Sequence, residues 1–181
     1  MVDARGRVVK LPPRPDYKQP MEDGVAKSDL DALWAHRLMV PVNGFSREGL
    51  RDSYDAQRDN DRSHRAIDLL TGAGTPVLAA DDEVIGRLAS TQLGGIIIYA
   101  RDLTAQFVYY YAHLRGYREG LAVGDTVARG EVIGYVGSTG NASPDAPHLH
   151  FQVMKRGAGH AWWDGPAINP YTFFAFDGRQ K

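Results

Sequence analysis

Six histidines and no cysteine define the chemistry open to this 181-residue chain. Without a thiol there is no disulfide scaffold, no thiolate metal site and no cysteine nucleophile. Imidazole and carboxylate remain as metal donors and proton carriers. Side chains alternate faces along a strand, so residues i, i+2 and i+4 share a face. In the segment 64–69, His64 and Asp68 then share one face, with Ile67 and Leu69 on the other. In 108–114, His113 falls with Tyr109 and Tyr111, opposite Val108, Ala112 and Leu114. In 148–153, His148, His150 and Gln152 lie together, opposite Leu149, Phe151 and Val153. Each spacing is common by chance. Three segments that each set polar donors against an apolar face predict one sheet with a core side and a site side. His36 and His160 show no such pattern and read as ordinary structural residues.

A His/Asp/His set without cysteine suits catalytic zinc. Three protein ligands leave the fourth tetrahedral position to water, whereas closed structural sites commonly use Cys. Zinc brings the pKa of that water to about 7. Histidines outside the ligand set then move protons or stabilise developing charge. Metal-assisted hydrolysis is the natural reaction class. Other signatures are missing: there is no HExxH helix, no GxSxG elbow and no deaminase Cys pair. The Gly-rich run 134–141 has Asn141 where a phosphate-binding loop needs Lys.

These residues need elements to hold them. Residues 1–27 are rich in Pro and charge and predict an extended arm or linker. A short helix is expected over 28–40, begun by a Ser28/Asp31 capping box, faced by Leu30, Leu33, Trp34 and Leu38, and ended by Pro41. Residues 45–63 are polar and read as a long loop. From Ile67 onward, short Val-, Ile- and Tyr-rich runs alternate with Gly, Asp and Asn turns, which predicts a mostly antiparallel β-domain. The aromatic tail from Trp162 to Phe176 is expected to pack back over the sheet.

Twenty-one Lys plus Arg against 22 Asp plus Glu give a net charge of −1. That balance argues against a nucleic-acid binder working by phosphate neutralisation. No apolar stretch reaches the roughly 20 residues of a transmembrane helix, and the N-terminus shows no signal-peptide h-region. The chain is expected to be a soluble protein or the soluble part of a processed one.

HRAID (64–68), GTPVLAA (74–80), YAHL (111–114) and the stretch from GLAVG to HLHF (120–151) together resemble the LytM/lysostaphin-type zinc metallopeptidases. These are cell-wall endopeptidases that cut peptide bonds in peptidoglycan. The resemblance spans roughly residues 41 to 175. It implies a mostly β fold, an antiparallel sheet or sandwich of the duplicated hybrid motif type, with long loops around a central groove and a domain over 41–181. It implies one Zn2+ per chain on His64, Asp68 and His150. His113 and His148 fall on the family's catalytic histidines, which orient and deprotonate the water and stabilise the oxyanion. The implied partner is a peptidoglycan peptide, and the implied location is the periplasm or the extracellular envelope.

Around the groove the loops 45–63 and 137–147 are candidate walls. Tyr111 is a candidate substrate contact because it is placed on the His113 face. Trp162 and Trp163 read as packing residues. Arg51, Arg58, Arg62 and Arg65 can face an acidic peptide or simply solvent. Two departures from the family pattern stand out. Ala66 replaces the usual Gly of HxGxD, which a β conformation tolerates and a positive φ does not. The turn after GTPV reads Asp81-Asp82-Glu83 instead of carrying Gly. A non-cleaving regulatory or cell-wall-binding module of the same fold is the alternative reading; loss of ligand residues would mark it. A phosphocarrier on a related motif explains a His pair but leaves Asp68 without a role.

Overall fold

The structure, a computed structural model, describes residues 24–58, 62–159 and 161–174. The expected arm therefore falls mostly outside the described residues, as do His160 and the tail beyond Phe174. Helix α1 spans Lys27–His36, shorter than the expected 28–40 and shifted toward the N-terminus. Its start is set by Ala26, whose N–H donates to the Asp29 carboxylate at 2.7 Å, and not by Ser28 with Asp31. Its end is Arg37 in the left-handed conformation (φ 54°), four residues before Pro41. Leu30 and Leu33 are buried, and Trp34 meets Phe173 edge-on at 6.5 Å. Leu38, also buried, lies past the helix and forms an isolated bridge to Phe174.

The strands are β1 Gln57–Arg58, β2 Arg62–Ser63, β3 Ile67–Leu70, β4 Pro76–Leu78, β5 Glu83–Thr91, β6 Gly95–Asp102, β7 Phe107–Tyr117, β8 Thr126–Val127, β9 Val132–Val136, β10 His148–Lys155 and β11 Ala167–Ile168. β1 and β2 pair by themselves. The other nine form one antiparallel sheet with the path β11-β10-β7-β6-β5-β8; β3 adds to β10, β9 to β7 and β4 to β9. This is the expected mostly β, antiparallel architecture.

The core lies on one face of the sheet. Ile67, Leu69, Leu149, Phe151 and Val153 all point into it, fully buried, as alternation predicts for β3 and β10. β7 departs from alternation. Tyr111 pairs with Ile98 and Leu114 with Ile96, so Ala112 and His113 together oppose Ile97 alone. This is a β-bulge, with His113 at φ 60° and its N–H bonded to the Gly94 carbonyl at 2.7 Å. The extra residue returns Leu114 to the core and leaves Tyr109 and Tyr111 on the core side.

Beneath the sheet lies a polar cluster. The Tyr111 hydroxyl donates to the Glu83 carboxylate at 2.5 Å and accepts from the Ala80 N–H. Burial pushes Glu83 up to about 8. The Asp81-Asp82-Glu83 turn needs no glycine, because its carboxylates bond main-chain N–H groups: Glu83 that of Asp81, and Asp82 that of Arg129. Asp81 also accepts from the Tyr109 hydroxyl at 2.8 Å and from His36 Nδ1 at 2.5 Å. His36 is therefore the residue that ties the end of α1 to the sheet.

The Asp81 bond raises the His36 pKa against the opposing effect of burial. With the folded value above the unfolded 6.5, the contact stabilises fully below that pH and fades as pH rises through the folded value. Unfolding in urea is expected to show a stability gap between wild type and His36→Ala that narrows from pH 6 to pH 9. A constant gap would mean that packing on Phe107, not charge, docks the helix.

Candidate metal centre

The strand β3 and its approach place two of the candidate donors. Arg65 adopts φ 53°, which turns the chain between His64 and the strand. Ala66 is not among the residues with positive φ and is fully buried, so its methyl group fits where the family pattern has Gly. Asp68 follows on the side opposite Ile67 and Leu69. β10 lies antiparallel to β3, with His150 directly across from Asp68. His64 Nε2 is then 2.9 Å from Asp68 Oδ1 and 3.1 Å from His150 Nδ1, and His150 Nδ1 is 3.1 Å from the same carboxylate oxygen.

Those three atoms are the only group among the described residues arranged to hold a metal ion. Donors around a tetrahedral zinc stand about 3.3 Å apart, given bonds of about 2.0 Å. The observed spacings approach that triangle, and two imidazoles with one carboxylate match zinc's preferences. The outer contacts agree. His64 Nδ1 is 2.7 Å from the Ser53 carbonyl, which can only accept. The ring proton therefore sits on Nδ1 and the Nε2 lone pair faces the site. The Ser53 hydroxyl accepts from the Asp68 N–H at 3.1 Å. Burial works to raise the Asp68 pKa, but the adjacent His150 and His64 imidazoles outweigh it and hold the carboxyl well below the usual range.

His113 and His148 stand beside this triad. Their ring centroids are 4.9 Å apart, and His113 lies 5.7 Å from the His150 ring. His113 Nδ1 donates to the Thr139 carbonyl at 2.8 Å, and His148 Nδ1 to the Ala146 carbonyl at 2.9 Å. Both rings thus keep an Nε2 lone pair when neutral. His148 Nε2 is 3.8 Å from Asp68 Oδ1. Burial, with His150 and His148 nearby, pushes His113 down to about 4, so its ring is neutral at physiological pH. All five residues line one open cavity of about 560 Å3, floored by the sheet and walled by the loop 141–146.

Tyr111 does not reach this cavity. It is fully buried under the sheet and bonded to Glu83, because the bulge at Ala112–His113 breaks the alternation that placed it with His113. Tyr110 lines the cavity instead, edge-on to His150 at 5.9 Å. Ala112, expected opposite His113, also lines the cavity. Arg51 folds back onto the carbonyls of Glu48 and Leu50. Trp162 packs over Gly86, where a Cβ would stand 2.4 Å from its ring, and the Arg87 guanidinium covers the Trp163 ring at 4.7 Å. Ser53, Thr139 and Ala146 also belong to the site, with no signal in the sequence. They act through main-chain carbonyls, which every residue type carries. The polar loop 45–63 that supplies Ser53 is anchored by buried Leu50 and Tyr54.

Thr139 is positioned by close backbone contact. Its hydroxyl accepts from the Ile96 N–H and donates to the Leu114 carbonyl. Gly95, at φ +64°, lies against it: a Cβ there would stand 2.1 Å from Thr139 Oγ1 and 2.5 Å from Gly140 N. Gly95→Ala is expected to cost about 3 kcal/mol in stability, combining a positive φ with a backbone clash. Hydrolytic activity, once assayed, is expected to fall further than stability accounts for, since the His113 carbonyl acceptor shifts. Thermal unfolding with a parallel zinc measurement checks this.

Residues 62–170 match the sequence profile of Peptidase family M23. The chain is 32% identical over 115 residues to an L-Ala--D-Glu endopeptidase of Bacillus subtilis, covering 61% of this chain and 34% of that protein. It is 38% identical over 122 residues to the glycyl-glycine endopeptidase ALE-1 of Staphylococcus capitis, covering 66% and 31%. The chain thus spans about a third of these relatives. Among solved structures, a putative glycyl-glycine endopeptidase lytM from Ruminococcus gnavus aligns with a TM-score of 0.64 at 25% identity, covering 78% of this chain and 61% of that one. Lysostaphin from Staphylococcus simulans aligns with a TM-score of 0.59 at 27% identity, covering 77% and 53%.

Proposed function

The chain belongs to peptidase family M23, and from that premise we propose that it is a zinc-dependent endopeptidase that cuts peptide bonds of peptidoglycan. One observation carries the reading. Three donor atoms of His64, Asp68 and His150 converge within 3.1 Å at the floor of an open cavity, and two further histidines face them with their Nδ1 protons already committed to carbonyls. Held by His64, Asp68 and His150, zinc would supply Lewis-acid activation of water near neutral pH. His113 Nε2 accepts the proton of the attacking water and passes it to the leaving amine. His148, with Nδ1 held by the Ala146 carbonyl, would donate from Nε2 to the carbonyl oxygen in its imidazolium form as charge develops there. The carbonyls of Ser53, Thr139 and Ala146 fix ring orientation and tautomer, so no reorganisation is needed at the moment of reaction. Such a substrate places the protein in the periplasm or outside the cell, and no helix of the described residues is long and apolar enough to cross a membrane.

Metal analysis of purified protein is expected to give close to one zinc per chain. Incubation with purified sacculi is expected to release peptide fragments, to stop with a chelator and to resume on adding zinc. Sacculi left intact by zinc-loaded protein would refute the assignment.

A further inference from the structure

A second cavity, of about 390 Å3, is separate from the metal cavity and shares no lining residue with it. Gln152 and Met154 of β10 and Tyr99 of β6 line it from the sheet, and Trp163, Asp164 and Gly165 from the loop after β10. Gln152 lies two residues beyond His150 on the same strand, about 6.6 Å away. The loop wall is held in place by close contacts. A Cβ on Gly165 would stand 1.8 Å from the Lys155 carbonyl oxygen. The Asp164 N–H donates to the Ala161 carbonyl at 2.9 Å, and the Gly157 N–H to the Trp162 carbonyl at 3.0 Å. Tyr99 and Trp163 stand with ring centroids 6.0 Å apart.

The polar groups of this wall are not used by the fold. Among the described residues, nothing hydrogen-bonds the Gln152 amide, the Asp164 carboxylate, the Tyr99 hydroxyl or the Trp163 indole N–H. Polar groups gathered in a hollow without protein partners are satisfied by water or by a ligand. This set offers donors in the indole, phenol and amide, and acceptors in the amide and carboxylate, next to aromatic and thioether surface. Its match is a ring whose substituents both donate and accept and whose C–H faces are apolar. Asp164 disfavours an anion. An extended peptide would need an unpaired strand edge, and Tyr99 is already paired on both sides, with Arg87 and with Tyr110.

We propose that the second cavity is a sugar site: it binds one neutral, N-acetylated sugar ring, with Gln152 and Asp164 meeting its amide and hydroxyl groups and Tyr99 and Trp163 lying beside it. The cavity's chemistry points to a sugar; the N-acetylated class rests on the peptidoglycan reading above, since that polymer joins N-acetylated sugars to the peptide that would be cut. Tyrosine and tryptophan suit such a place because each joins an apolar ring to a polar edge. The metal site then acts on the peptide while the neighbouring cavity holds the glycan to which the peptide is attached.

The test titrates the zinc-loaded chain with the N-acetylglucosamine trimer, followed by calorimetry and tryptophan fluorescence. Wild type is expected to bind it, and to bind the glucose trimer more weakly. Gln152→Ala and Asp164→Ala are each expected to weaken binding about fivefold, the effect of one lost hydrogen bond, with zinc content and circular dichroism unchanged. Both variants are expected to cut a sugar-free cross-link peptide as wild type does. On the same peptide carrying its disaccharide, their kcat/KM is expected to fall about fivefold through KM. No binding of the N-acetylglucosamine trimer, equal binding by wild type and both variants, or equal affinity for the glucose trimer would overturn the inference and leave the endopeptidase reading standing. Zinc-loaded protein that binds the trimer as expected but cuts neither peptide would overturn the endopeptidase reading and leave the sugar site standing.

Discussion

Asp68→Ala is expected to emerge from purification with almost no zinc and no hydrolytic activity, while remaining folded. Asp68 is the only anionic member of the donor triangle, and its Oδ1 lies within 3.1 Å of both imidazole donors. Removing it leaves two imidazole nitrogens 3.1 Å apart, a site with no carboxylate to offset the dication. Loss of a charged ligand from a three-ligand site is expected to weaken binding about 1000-fold, or about 4 kcal/mol. The fold survives because Asp68 contributes nothing to the core. Its strand neighbours Ile67 and Leu69 are the buried ones, and its main-chain N–H keeps the Ser53 hydroxyl. Circular dichroism and metal analysis on the same sample separate the outcomes. A folded Asp68→Ala protein that still carries one zinc would remove Asp68 from the ligand set. Asp68→Asn, which keeps the shape and loses the charge, is expected to fall between wild type and alanine.

The histidines were legible in the sequence where strands are regular. In HLHF alternation holds, so Leu149 and Phe151 enter the core and His148 and His150 face the cavity. It holds on β3 for the same reason. It fails on β7 at one point. The bulge at Ala112 and His113 adds a residue opposite Ile97, which exchanges Tyr110 for Tyr111 at the site. Nothing in the composition of FVYYYAHL marks that bulge; it is set by where β6 and the Thr139 loop meet the strand. The end of α1 was illegible for a similar reason. Arg37 turns left-handed and His36 beside it is held by Asp81, 45 residues away, while Pro41 offered a false stop. The main-chain acceptors on His64, His113 and His148 leave no trace in residue types at all. Side-chain chemistry at the site could be read from order and spacing, whereas its orientation depends on tertiary contacts that spacing does not encode.

That division bears on which histidine carries the proton. His113→Ala is expected to lower kcat by about 1000-fold, within the usual range for a lost general base, with KM nearly unchanged and zinc retained. Several features single His113 out. It is buried, and its place in the bulge fixes the backbone beneath the ring. With its pKa pushed down to about 4, the ring stays neutral across physiological pH and can accept a proton at Nε2. His148 is nearer solvent and stands 3.8 Å from Asp68 Oδ1. It is better placed to stabilise charge than to remove a proton, so His148→Ala is expected to lose less, about 100-fold. Two readouts distinguish a base from a merely structural ring. The cavity left by His113→Ala is expected to admit free imidazole and recover part of kcat. The same addition is expected to do little for Gly95→Ala, where the ring is present but its carbonyl acceptor is displaced. If imidazole rescues neither variant, and His148→Ala proves the more damaging, the proton passes through His148 and His113 serves to position it.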